Sequence, residues 1–81
     1  MNPNTHRRWL LYRKHYGQSL LRIGRISEAE EILTQAYRGL SDTFGASDRR
    51  AKEVAGYLVE LYEARGRPEK AAEYRALLNP D

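Results

Sequence analysis

Gly24-Arg25-Ile26-Ser27-Glu28-Ala29 and Gly66-Arg67-Pro68-Glu69-Lys70-Ala71 read as two copies of one turn. Each opens on glycine and arginine and closes on a small residue. Gly24 and Gly66 lie 42 residues apart. The same offset carries Tyr16 onto Leu58, Leu20 onto Tyr62 and Glu31 onto Glu73. Repeats with a period of roughly 20–50 residues mark stacked supersecondary units, each burying its apolar face on a neighbour.

A third break, Gly45-Ala46-Ser47, separates the copies. Between the breaks, apolar residues recur at three- and four-residue steps, the spacing of a helix with one buried face. Helices are predicted over about 6–23, 27–43, 48–65 and 68–78. Trp9, Tyr12, Tyr16, Leu20 and Ile23 share a face of the first. Ala29, Ile32 or Leu33, Ala36, Tyr37 and Leu40 do so on the second, where Ser27 and Glu30 have the spacing of a capping box. The third carries Ala51, Val54, Ala55, Leu58, Leu61 and Tyr62. The fourth starts at Pro68, which suits a first helical turn, carries Ala71, Tyr74, Leu77 and Leu78, and ends at Asn79-Pro80. The expectation is a single all-α domain over 1–81, built from two tandem helix–turn–helix repeats, about 6–43 and 48–78.

Composition narrows the functional classes. The 81 residues are 41% hydrophobic and 31% charged and include six tyrosines and one tryptophan, the profile of a folded chain rather than a disordered one. With no cysteine, disulfides and thiolate metal sites are excluded. No apolar run approaches the ~20 residues of a membrane span, and Met1 to Arg8 is polar, so a cytoplasmic location is expected.

These residues resemble the tetratricopeptide repeat family. In the first repeat the resemblance rests on Tyr16-Gly17, Leu20, Gly24-Arg25-Ile26, Ala29, Leu33 and Ala36, where the family alternates large and small residues so that two antiparallel helices approach closely. In the second it rests on Leu58, Tyr62, Gly66-Arg67 and Ala71. Arg75 departs from a usually aromatic position. The family's usual period is about 34 residues. The longer period here is similar to the kinesin-light-chain-like variant, which also occurs in C-terminal repeats of large bacterial proteins, some of them kinase-linked. Gly45-Ala46-Ser47-Asp48-Arg49-Arg50-Ala51 resembles a decayed copy of that variant's inter-repeat loop, and His6-Arg7-Arg8-Trp9 a second. The resemblance implies four antiparallel helices in a right-handed superhelical stack, working as a protein-interaction scaffold. It also implies a concave groove lined by the first helix of each repeat. The groove positions are Leu11, Lys14, His15, Gln18, Leu21 and Arg22, with Glu53, Tyr57, Glu60 and Glu63 from the second repeat.

Catalytic and metal chemistry find little footing. Ser19, Ser27, Ser41 and Ser47 are scattered, and His6 and His15 do not share a face at ligand spacing. Glu28, Glu30 and Glu31 suit the positive end of a helix dipole better than acid–base work. No enzyme activity, metal or cofactor is expected.

Charge is unevenly placed. Residues 1–25 hold six bases and no acid, or +6; the rest hold eight bases and all eleven acids, or −3. Three readings follow. The basic helix lines a peptide groove, in which Lys14, Gln18 and Arg22 face a carboxylate. Alternatively it binds nucleic acid, against which the acidic second repeat stands. Or Lys14 and Arg22 pair with Glu53, Glu60 and Glu63 across the repeats, fixing register. Two repeats also leave an apolar edge. Trp9 and Leu10, adjacent to Leu11, are expected to contact a second copy or an upstream repeat.

Overall fold

The computed structural model describes residues 3–78, with side chains from Arg8 onward. Four helices follow one another: α1 (Pro3–Arg22), α2 (Ile26–Phe44), α3 (Arg49–Ala64) and α4 (Pro68–Leu78). There is no strand among the described residues. α1 packs on α2 and α3 on α4, giving two hairpins; α2 packs on α3 to join them, and α1 also touches α3. The fold is an all-α stack of two helix–turn–helix units. α1 begins a turn earlier than expected, so the His6–Trp9 segment is helix and not inter-repeat loop. The predicted stop at Asn79-Pro80 lies outside the described residues.

The two copies of the turn adopt one conformation. Gly24 and Gly66 have φ of 86° and 70°, in the left-handed region where a Cβ is penalised. After α1, Gly24 N–H donates to Leu21 O and Arg25 N–H to Leu20 O; after α3, Gly66 N–H donates to Glu63 O and Arg67 N–H to Tyr62 O. This pair of crossed bonds is the Schellman ending, which satisfies the last carbonyls of a helix. The 42-residue period therefore holds at the level of individual backbone bonds.

α3 starts on a side-chain cap. Asp48 accepts from the Arg50 N–H at 2.9 Å, and its carboxylate also takes the Arg50 guanidinium, which lies over the Phe44 ring. Those bonds hold the Asp48 carboxyl below its ordinary pKa, the side-chain bond to Arg50 being the largest cause. The capping box expected at α2 does not form. α2 begins at Ile26 with Arg25 at its cap and no side-chain bond there. Ser27 therefore sits inside the first turn, and Glu30 turns instead toward the second repeat.

The stripes of α2 and α3 are buried as expected: Ala29, Leu33, Ala36 and Leu40, and Ala51, Val54, Ala55, Leu58, Leu61 and Tyr62. α1 is rotated from the expected setting. Trp9, Tyr12, Tyr16 and Ile23 are 51, 60, 41 and 68% exposed, and of the predicted face only Leu20 is buried. Leu10, Lys14 and Gly17 point inward instead. The cause is steric. A Cβ on Gly17 would lie 2.5 Å from Leu33 Cδ2, and one on Gly39 would lie 2.3 Å from Leu10 Cδ2. α1 and α2 meet at their two glycines, and that crossing turns the rings outward. Leu10, expected at an exposed contact, is instead 3% exposed in the hairpin core. On α4 only Ala71 is buried, and Leu77 is exposed.

Candidate functional site

The expected groove residues lie on α1 and α3, and among them one contact, Lys14 with Glu53, joins the two helices. Lys14 Nζ lies 2.9 Å from Glu53 Oε2, with the lysine side chain 9% exposed. Arg49 stands 3.9 Å from the other Glu53 oxygen. Lys14 is therefore not a free cation awaiting a ligand. It is buried and neutralised within the chain. Losing Lys14 would leave Glu53 half-buried without its closest cation, so the pair specifies how α1 sits on α3 more than it adds net stability. This is the register pairing that the charge asymmetry suggests. Glu63 bonds Arg75 of its own hairpin rather than a base of α1.

Around that pair, Leu11, Gln18, Leu21 and Tyr57 are half-buried, while His15, Arg22, Glu60 and Glu63 are exposed. Leu21 and Tyr57 pack on the core with part of their surface outward. Leu21 and Tyr57 thus contribute partly exposed apolar surface, with Gln18, His15 and Arg22 also on α1 and the acids Glu60 and Glu63 on α3.

Two further surfaces stand out, the first of which escaped the sequence reading. Tyr37, Tyr62 and Tyr74 have core spacing, yet they line a cleft of about 530 Å³ beside α2 and α4. Tyr74 meets Tyr37 edge-on at 5.6 Å and stacks on Tyr62 at 5.9 Å. Arg38, Asp42 and Lys70 rim the cleft, and the buried Ser41 hydroxyl has no hydrogen-bond partner there. No sequence signal pairs Tyr37 with Tyr74, which do not correspond at the repeat offset; contact across the two hairpins assembles the cleft. The second surface is the outward stripe of α1, where Trp9 stacks on Tyr12 at 6.0 Å, Tyr12 on Tyr16 at 6.1 Å, and Arg13 lies 4.7 Å over Trp9.

The Tyr62 hydroxyl donates to Glu30 Oε2 at 2.8 Å, and Arg65 holds the other oxygen. Burial, then the bond to Glu30, push the Tyr62 phenol above its ordinary pKa of about 10. Tyr74 is also raised, chiefly by burial and then by Tyr37. A raised folded-state value means that the protonated phenol favours the fold. This contribution is complete below about pH 10, the unfolded value, and is lost as pH rises through the folded one. Thermal stability is expected to fall above about pH 10, less steeply in Tyr62→Phe. Equal alkaline slopes for the two proteins would contradict this account.

Comparison with models of known protein families, with curated proteins and with solved structures finds no match. Among the described residues no group of three or more potential ligands is placed to hold a metal ion, and no helix is long and apolar enough to cross a membrane.

Proposed function

We propose that the chain is a protein-interaction module of the tetratricopeptide kind, binding a peptide or protein segment on the face of α1 and α3 rather than catalysing a reaction. The observation that supports this most directly is the Lys14–Glu53 pair. It holds α1 beside α3, the two helices that carry Gln18, Leu21, Tyr57 and Glu60. The fitting ligand is a segment with an apolar side chain for Leu21 and Tyr57, an acid toward Arg22 and a base toward Glu60. The tetratricopeptide resemblance supports the same face, and the cysteine-free composition suits a cytoplasmic setting.

The test is selection of binders from a displayed random-peptide library, followed by titration of the isotope-labelled chain with the strongest peptide. Resonances of Gln18, Leu21, Tyr57 and Glu60 are expected to shift. Gln18→Glu with Glu60→Lys is expected to weaken binding at least tenfold, about 1.4 kcal/mol. A footprint confined to the tyrosine cleft, or failure to select any peptide, would overturn the groove reading.

The alternative is a basic accessory module binding nucleic acid through α1. The exposed Trp9–Tyr12–Tyr16 ladder with Arg13 gives it a stacking platform. The removal of Lys14 from the accessible cations weighs against it. Quenching of Trp9 by an oligonucleotide at sub-micromolar concentration and physiological salt would put this alternative first; quenching that vanishes at that salt would leave it second.

A further inference from the structure

Among the described residues, α3 is flanked by α2 of the preceding hairpin, and no described helix covers the corresponding side of α1. Side chains exposed on α1 whose counterparts are buried on α3 therefore mark the surface that a preceding repeat would cover. At the 42-residue offset, Trp9, Tyr12 and Tyr16 correspond to Ala51, Val54 and Leu58. The first three are exposed and the last three fully buried. The outward stripe of α1 is thus the repeat image of a face that, on α3, lies inside the molecule.

The same offset identifies the other half of the joint. Inside the chain, α2 and the end of α3 are linked by a polar triad in which Glu30 takes both the Tyr62 hydroxyl and the Arg65 guanidinium. The counterparts of Tyr62 and Arg65 are Leu20 and Ile23, at the end of α1; the counterpart of Glu30 is Ala72, on the outer side of α4. All three polar members are replaced by apolar ones together. Ile23 is 68% exposed and Ala72 is exposed, so neither replacement is explained by packing within the chain. Thr34, which lines the cleft with Tyr62, maps onto Ala76, also exposed. α4 thus presents small residues where α2 carries polar ones.

We infer that copies of this chain stack end to end, α4 of one on α1 of the next, repeating between chains the joint that α2 and α3 make within one. Charge disfavours the two-fold alternative more than this pairing. The accessible side chains of α1 include Arg8 and Arg13 and no acid, whereas α4 presents Glu69 and Glu73 together with Lys70 and Arg75. A two-fold contact of α1 with another α1 would set arginines against arginines. The joint uses two different surfaces, so it leaves one of each open after every addition and builds an open or ring-shaped assembly rather than a closed dimer. It is separate from the α1–α3 groove and stands or falls independently of it.

Sedimentation of the whole chain over a concentration series tests this. The mass is expected to rise with concentration without a plateau at the dimer. Ile23→Arg and Ala72→Glu, both at exposed positions, are each expected to weaken association at least tenfold with unchanged circular dichroism. An equimolar mixture is expected to recover it. In alternating order every contact is either arginine on glutamate or isoleucine on alanine, the first restoring between chains the Arg65–Glu30 pairing. A wild type that stays monomeric overturns the inference and assigns the stripe to another partner. A dimer plateau sensitive to Ile23→Arg but not to Ala72→Glu also overturns it, in favour of a two-fold α1 contact. So does a mixture no better than the single variants.

Discussion

Leu58→Ala is expected to lower the unfolding free energy by about 2–5 kcal/mol, because it opens a cavity among side chains that cannot collapse around it. Leu58 is fully buried in the core cluster. For an 81-residue chain the whole margin is of the order of 4–12 kcal/mol, so the loss is a large fraction of it. Tyr16 is the same position one repeat earlier, and it is exposed. Tyr16→Ala in the monomeric chain is expected to stay within about 0.5 kcal/mol, the range for surface substitutions. Chemical denaturation at low protein concentration measures both. Similar losses at the two positions would show that α1 buries Tyr16 as α3 buries Leu58, contradicting the setting of the first helix.

Gly17→Val is expected to be destabilising by about 1–3 kcal/mol or more through overpacking. The first added carbon would stand 2.5 Å from Leu33 Cδ2 and 2.7 Å from Leu33 Cγ. Leu33 is fully buried, and its branching carbon moves only with a χ1 change that would swing the whole side chain within a packed core. Gly17→Ala should cost less, since alanine regains about 1 kcal/mol of helix propensity. Gly39 is the gentler case, because its close neighbour is a terminal methyl of Leu10. The decisive measurement is the double variant Gly17→Val/Leu33→Ala. Its loss should fall short of the sum of the single losses by about 0.5–3 kcal/mol, the signature of groups in direct contact. Strict additivity would mean that the two residues do not meet.

Both expectations bear on how the surfaces arise. The glycine crossing sets the rotation of α1, which decides that Leu10 and Lys14 face inward and the three rings face outward. Closing that crossing would disturb the Lys14–Glu53 pair and with it the α1–α3 face. The groove and the ring stripe are consequently two outcomes of one packing choice.

The chain's own sequence determined whatever depends on neighbours within a few residues. Four helices, the turns at Gly24, Gly45 and Gly66, and the buried faces of α2 and α3 follow from residue spacing and from backbone conformations that favour glycine. The 42-residue period was legible for the same reason, since each repeat writes the same local turn. The face of α1 was not legible, because α1 has two apolar faces. Trp9, Tyr12 and Tyr16 outweigh Leu10 and Leu21 in bulk, and periodicity alone ranks the larger set first. Tertiary contact reversed that order. Burial of the rings would have forced α1 away from α2, whereas Gly17 on Leu33 and Leu10 on Gly39 let the two helices close. The destination of Glu30 was settled the same way: the spacing to Ser27 suggests a local cap, but Tyr62 and Arg65, more than thirty residues away, offer two charge-assisted bonds that a cap cannot match.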